Sequence, residues 1–274
     1  MIRIGTRNSP LAMWQAKEVE QKLQNLGYET SLVPVLSSGD KNLSQPLYSL
    51  GITGVFTKDL DIALLNNEID IAVHSLKDVP TILPQNIEIS AVLERDFPQD
   101  VLVRKSSSKN KNLAELKIAT SSLRRRAFWL EQFPETEFSD IRGNVQSRLK
   151  KLDEGDFDAT LFSLAGIKRM KMELDFEYLD FMISAPSQGV VAIASRVDDV
   201  ETREILQKIN HKETQICVEI ERNFLKTLEG GCTAPIGAIA VFKDNKFYFK
   251  GKLNSLDGGK SIKLVEEFLL DNSI

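Results

Sequence analysis

Two cysteines and two histidines in 274 residues narrow the field at once. Cys217 and Cys232 are too few for the disulfide framework that staples small secreted domains, and a cytoplasmic, reducing location is expected. Together with His74 and His211 they show no clustered zinc-type spacing, so no metal is expected. Apolar runs are short: none reaches the roughly 20 residues a membrane helix needs. The first residues, MIRIGTRNSP, pass straight into a strand-like pattern with no signal-peptide core. No membrane partner is therefore expected. A net charge of −4 lacks the basic excess of a general nucleic-acid binder, so no nucleic-acid partner is expected.

What is present reads as globular. Hydrophobic residues make up 42% and charged residues 27%, and the length suits two or three domains. Arginine is unevenly placed. Arg124, Arg125, Arg126, Arg142, Arg148 and Arg169 all fall within 46 residues. Local positive charge on an acidic chain points to a specific anionic ligand.

RIGT (3–6) reads as a strand, with Ser9 as helix cap and Pro10 in the first turn. Ala12, Ala16, Val19, Leu23 and Leu26 form the helix's apolar stripe, and Gly27 ends it. YETSLVPVL is a second strand, VFTKDLDIALLNN a helix and IDIAVHS a third strand. This alternation predicts a parallel α/β sheet. KIATSSLRRRAFWL then repeats the plan of RIGTRNSPLAMWQA, and DATLFSL (158–164) that of DIAVHSL (70–76). Two matches in the same order predict two related α/β domains. SAPSQGVVAIASR (184–196) reads as a crossover back to the first. Beyond it, ETQICVEIERNFLKTL is a helix with Cys217, Ile220, Phe224 and Leu228 on one stripe. IGAIAVF, KFYFKGKL and SIKLVEEF are strands joined by KDN and DGG turns. The expected division is 1–95 with about 188–208, then 98–187, then a small α+β domain at 212–274.

Three helix starts suit anions. Arg7 and Ser9 flank the first, Ser122, Arg124 and Arg125 the second, and Arg142 and Arg148 follow a glycine at the third. Each is equally readable as a capped, solvated basic turn. HSLKDVP (74–80) is a loop at a strand's C-terminal end, where open α/β sheets gather ligands. Lys77 and Asp78, adjacent in an extended loop, would point to different sides, as a surface ion pair or as functional groups. His74 reads first as a core histidine. Cys217 sits on an apolar stripe and reads as core. Cys232, in LEGGCTAPIG (228–237), is either a small turn residue or an accessible nucleophilic thiol.

RIGTRNSPLAMWQA, DIAVHSLKDVP, TSSLRR, RGNVQSRL, AGIKR and LEGGCTAPIG together resemble the porphobilinogen deaminase (hydroxymethylbilane synthase) family, in family order over nearly the whole chain. The resemblance implies an α/β protein of three domains. Two are like the halves of a type-2 periplasmic binding protein, and the third is a small α+β domain carrying the cofactor cysteine. It implies a transferase of tetrapyrrole biosynthesis. Four porphobilinogen molecules are joined head to tail with loss of ammonia, and water then releases hydroxymethylbilane. By motif match Cys232 holds a dipyrromethane cofactor through a thioether. Asp78 is the catalytic aspartate, stabilising the azafulvene cation left when ammonia departs. Ser75, Lys77, Thr120, Ser121, Ser122, Arg124, Arg125 and Arg148 fall to cofactor binding. Arg3, Arg7, Ser9, Gln15, Arg142, Arg148, Arg169 and Gln188 fall to substrate binding. A monomer is implied. Thr53 and Ser49 stand where the family often has lysines, and the chain stops at FLLDNSI, where many relatives continue into a closing helix.

Two rival readings are weighed against this one. A non-catalytic anion receptor on the same plan would not need Cys232. A nucleic-acid binder would want more positive charge and more aromatics beside the arginines.

Overall fold

The computed structural model describes residues 1–36, 56–228 and 234–269. These residues fall into two compact units. One comprises 1–36, 56–96 and 189–216; the other comprises 97–188, 217–228 and 234–269.

In the first unit, strand β1 (Ile2–Arg7) leads into helix α1 (Pro10–Asn25). Ser9 caps α1 by accepting the Ala12 N–H, and Pro10 occupies the first turn, where a missing N–H costs nothing. The apolar stripe buries Ala12, Ala16, Val19 and Leu23. Leu26 is the exception: it is the C-cap and remains exposed, because the helix ends there and Gly27 turns the chain with φ of 87°. Strands β2 (Thr30–Val35), β3 (Ile71–Ser75) and β4 (Ile87–Val92), helix α2 (Lys58–Leu65) and, much later, β10 (Val191–Arg196) complete the layer.

The sheet order is β2-β1-β3-β10-β4. β2 carries Pro34, which its edge position tolerates. The sheet is mixed, in place of the expected all-parallel one. β1 pairs in parallel with β2 and β3, whereas β10 is antiparallel to β3 and β4. The reason is the crossover: β10 enters after the chain has built a second sheet, so no βαβ connection fixes its direction. Ile4, Val19, Leu23, Ile71 and Ile193 form the core on the α1 side. Each such side chain contributes roughly 1.5–3 kcal/mol by leaving water.

The second unit repeats the plan. It contains β5 (Asp100–Arg104), β6 (Ile118–Ala119), α3 (Leu123–Leu130), β7 (Phe138–Ser139), α4 (Val145–Glu154), β8 (Ala159–Ser163), α5 (Leu164–Arg169) and β9 (Glu177–Tyr178). The order β7-β6-β8-β5-β9 matches the first sheet strand for strand. Again two parallel pairs, β6 with β7 and with β8, adjoin an inserted antiparallel strand, here β5. β1 and β3 thus correspond to β6 and β8, the strands of the two repeated motifs.

After α6 (Val200–Gln207) and α7 (Lys212–Thr227), strands β11 (Ile236–Lys243), β12 (Lys246–Asn254) and β13 (Ser261–Phe268) form an antiparallel sheet. Asp244 and Asn245 both take positive φ, the signature of a tight hairpin turn. This sheet is tied to the end of α3. The Glu131 carboxylate accepts from Asn254 Nδ2 and Ser261 Oγ, both at 3.0 Å, and pairs with Lys252. Gly258, at φ of 72°, packs on the α3 backbone, where a Cβ would lie 2.5 Å from the Glu131 nitrogen. Among the described residues no helix is long and apolar enough to cross a membrane.

Candidate functional site

β1 and β3 are neighbours in one parallel pair, with Ile4 opposite Ile71, so their C-terminal ends lie side by side. A concave pocket opens there, lined by Arg7, Ser9, Gln15, Phe56, Thr57, His74, Ser75 and Asp78 among others. The Arg7 guanidinium stacks over the Phe56 ring at 4.2 Å. Buried Gln15 reaches from α1 and donates from Nε2 to Ser75 Oγ at 2.8 Å. Burial, with the Arg7 charge second, lowers the pKa of His74 to about 4, so this imidazole is neutral at pH 7.

The chain after β3 does not run extended. Leu76–Asp78 form a 3-10 turn closed by Val79 N–H on Leu76 O at 3.1 Å. The turn buries Leu76 and leaves Lys77 and Asp78 half-buried. It makes Asp78 the carboxylate of the pocket lining, while Lys77 is not among the lining residues. Arg3 is not there either. Its guanidinium forks onto Asp70, with Nη2 to Oδ1 at 2.6 Å and Nε to Oδ2 at 3.1 Å, which braces β1 against the start of β3.

The corresponding edge of the second unit is cationic. Ser122 caps α3 by accepting the Arg125 N–H. Thr120 is buried, and its Oγ1 accepts the Ser122 N–H at 3.3 Å. Ser121 Oγ both donates to Ile141 O and accepts from Ile141 N, at 3.0 Å each. That pair fixes the chain beside Arg142, which is half-buried and whose pKa burial lowers. Gly143, at φ of 119°, turns the chain into α4, whose cap is Asn144.

Arg124 and Arg125 are both buried, and both point at Asp100 on β5. Arg148, on α4, joins them. Its Nη2 donates to Leu161 O at 2.6 Å, the same carbonyl that receives Arg125 Nη1 at 2.7 Å. Its guanidinium lies 4.3 Å over the Phe162 ring. Burial first, then the Arg125 charge, pushes the pKa of Arg148 down to about 9, and its buried Nε has no hydrogen-bond partner. The guanidinium pair holds Asp100 far below the ordinary carboxylate range. Two cations thus share one anion, and a third, Arg148, meets Arg125 at the Leu161 carbonyl. Arg169 is buried in the last turn of α5, and Gln188 donates to Asp100 Oδ1 at 3.1 Å.

The structure therefore brings Arg7, Ser9, Gln15, Ser75 and Asp78 to one pocket, and Arg124, Arg125, Arg148 and Gln188 to one cluster. Cys232, Ser49 and Thr53 lie outside the described residues. Cys217 is buried, as its helical stripe suggests. Asp100 was missed in the sequence, although a lone acid leading the apolar run VLV was its signal. Phe56 and Thr57, just before α2, were missed too and carried none.

Residues 2–204 match the family model described as porphobilinogen deaminase, dipyrromethane cofactor binding domain, and residues 215–268 match the porphobilinogen deaminase C-terminal domain. A probable porphobilinogen deaminase of Methanocaldococcus jannaschii is 47% identical over 255 residues, spanning 92% of this chain and 87% of that one. The porphobilinogen deaminase of Desulfitobacterium hafniense is 44% identical, over 96% of this chain and 88% of its own. That of Chloroherpeton thalassium is 43% identical, over 95% and 85%. Among solved structures, an ancestral cationic amino acid solute binding protein overlays with a TM-score of 0.47 at 14% identity, over 82% of this chain and 90% of its own. On the extent of these matches, the chain belongs to the porphobilinogen deaminase family.

Proposed function

We propose that Asp78 acts at the reacting carbon, that the arginines of both units hold carboxylates, and that Cys232 is the thioether anchor of the dipyrromethane. The reaction is that of hydroxymethylbilane synthase. In each round the C–N bond of the substrate's aminomethyl group breaks and the electron pair leaves with ammonia. The methylene carbon then bonds to the free α-carbon of the acceptor pyrrole, which loses its proton. The dipyrromethane supplies the first such acceptor carbon. One observation carries the reading. Arg124 and Arg125 share a single carboxylate, Asp100, and Arg148 joins Arg125 at the Leu161 carbonyl with its buried Nε left without a hydrogen-bond partner. A cluster with excess positive charge and an unused buried donor fits a group rich in carboxylates, and each pyrrole carries an acetate and a propionate.

We assign each residue a part. Arg124, Arg125 and Arg148 hold cofactor carboxylates, with Thr120, Ser121 and Ser122 shaping the helix start that presents them. Lys77 and Ser75 also serve the cofactor. Arg7, Ser9 and Gln15 bind substrate at the pocket beside Asp78, and Arg142, Arg148, Arg169 and Gln188 receive further carboxylates. Arg3 we assign to bracing, since Asp70 takes its fork. Asp78 accepts the pyrrole N–H and faces the positive charge that develops as ammonia departs. A fixed carboxylate aimed at developing charge lowers the barrier more than one matched to the ground state. His74, neutral beside it, does not compete for that charge.

We also read the β11–β13 sheet with α7 as a third domain, with boundaries at 1–95 plus about 188–208, at 98–187 and at 212–274. A cytoplasmic monomer with no nucleic-acid partner completes the proposal. Stoichiometry tests the function. Purified protein given porphobilinogen is expected to release four ammonium ions for each tetrapyrrole set free. A ratio of one, or ammonium without tetrapyrrole, rejects the assignment.

A further inference from the structure

Asp100 opens β5 with its side chain fully buried, a costly place for a carboxylate unless it is paired and hydrogen-bonded. Three side chains converge on it. Arg124 Nη1 donates to Oδ2 at 2.6 Å, and Arg125 Nε and Nη2 donate to Oδ1 at 3.0 and 2.7 Å. Gln188 Nε2 reaches the same Oδ1 at 3.1 Å. Each of these side chains is also held at a second point by a backbone carbonyl. Arg124 Nη1 donates to Ile183 O at 2.6 Å, Arg125 Nη1 to Leu161 O at 2.7 Å, and Gln188 Nε2 to Pro98 O at 2.6 Å. A guanidinium pinned at two points cannot swing, so its orientation is set before any ligand arrives.

Attraction alone would be served better without Asp100, because its charge cancels part of the pull on an incoming carboxylate. Yet two adjacent buried guanidinium groups without a counter-charge repel each other and lose their hydration. An acid between them resolves that conflict, and the cluster remains net positive because Arg148 adds a third cation. Arg124, Arg125 and Gln188 stand 24, 25 and 88 residues from Asp100 in sequence, so the acid ties α3 and the 184–188 turn to β5.

We infer that Asp100 is the positioning residue of the carboxylate-binding arginines, fixing Arg124 and Arg125 in one orientation with Gln188 as the neutral third anchor. This rests on the reading above that Arg124 and Arg125 hold cofactor carboxylates. Preorganised donors bind without reorganisation, and that is the advantage the arrangement supplies.

Cofactor loading of the apo-protein is the test. Wild type, Asp100→Asn, Gln188→Met, Arg124→Leu and Arg125→Leu are produced without porphobilinogen and checked by thermal melt. Porphobilinogen is added, and denaturing mass spectrometry follows the gain of covalent dipyrrole mass. Folded Asp100→Asn is expected to load at least tenfold more slowly than wild type, and Gln188→Met, which keeps both ion pairs, about threefold more slowly. Asp100→Glu keeps the charge but moves the carboxylate by one methylene, and is expected not to restore the rate. Loading of folded Asp100→Asn at the wild-type rate overturns the inference. Should Asp100→Asn not fold, loading of Gln188→Met at the wild-type rate overturns it instead. Both arginine variants loading normally would reject the cofactor-binding reading itself, and the positioning role with it. Slow arginine variants beside a fast Asp100→Asn would reject the positioning role alone.

Discussion

Glu221, on α7, accepts the backbone N–H of Ser187 at 2.6 Å, and its second oxygen accepts that of Ala240 at 2.7 Å. The carboxylate is fully buried. It joins three pieces far apart in sequence: α7, the turn before β10, and β11. Ser187 needs the help, since it is a buried non-glycine residue at φ of 65°. Its neighbour Gln188 is the third anchor of Asp100. Glu221→Leu leaves two buried N–H groups without acceptors. At about 1–3 kcal/mol for each, the variant is expected to lose roughly 2–6 kcal/mol of stability. Urea denaturation measures it, and a loss below about 1 kcal/mol would show that water replaces the carboxylate.

His74 gives the pocket a pH dependence. Its pKa is about 4 when folded, against 6.5 for an ordinary histidine. The unfolded chain therefore binds a proton that the folded one refuses. Stability is expected to fall as pH drops from about 6.5 towards 4, by at most about 3 kcal/mol from this group. Burial raises the pKa of the Asp61 carboxyl to about 6, in the same range, so the comparison is with His74→Leu. The stability difference between wild type and variant should shrink as pH falls. A difference constant from pH 7.5 to 4.5 would mean that His74 is not desolvated.

Much of this was readable before folding. Ser9 and Pro10 start α1 where the sequence places it, because capping is local chemistry. The RIGT/KIAT and DIAVHSL/DATLFSL matches became β1/β6 and β3/β8 because equivalent strands meet equivalent neighbours. What was hidden depends on distant partners. Nothing near Asp100 in sequence announces Arg124, Arg125 or Gln188. The antiparallel sense of β10 follows from a crossover, not from its own residues. Lys77 and Asp78 were expected in an extended loop, and the 3-10 turn arises because Leu76 is drawn into the interior. Arg3 falls to substrate binding by motif match, and its ion pair with Asp70, 67 residues away, is not visible in the sequence.

Arg142 and Arg148 separate binding from folding. Arg148 is a poor contributor to stability, since its buried Nε is unsatisfied and burial opposes its charge. Arg148→Leu is therefore expected to melt within a few degrees of wild type. Losing a buried partner for a ligand carboxylate costs at least about 2 kcal/mol, or roughly 30-fold in kcat/KM. Arg142→Leu should act in the same direction. A thermal melt beside a steady-state assay checks both, and unaltered kinetics in both variants would remove the arginines from carboxylate binding.

Asp78→Asn keeps the size and one acceptor of the side chain but removes the charge facing the cation. Loss of transition-state charge stabilisation of this kind lowers rate by about 10²–10³-fold. Cofactor loading should survive, because the attachment proposed above is at a different residue, Cys232. Single-turnover measurements with preloaded protein isolate the step. An Asn variant with wild-type turnover would make Asp78 an ordinary pocket polar group.

Cys232 lies outside the described residues, so its role rests on LEGGCTAPIG, where two glycines precede the thiol. Small neighbours admit a ligand close to the backbone, and a thiolate is a far better nucleophile than a hydroxyl at neutral pH. Freshly purified wild type is expected to exceed its sequence mass by one dipyrromethane. Porphobilinogen should add a ladder of equal pyrrole increments, because the growing chain stays covalently attached. Cys232→Ser should abolish both the excess and the ladder. Cys217 is 5% exposed within the core, so Cys217→Ser should keep both at some cost in stability. Denaturing mass spectrometry before and after substrate decides it. An excess that survives in Cys232→Ser and disappears in Cys217→Ser would assign the attachment to the buried thiol. Active wild type without any excess mass would end the covalent mechanism.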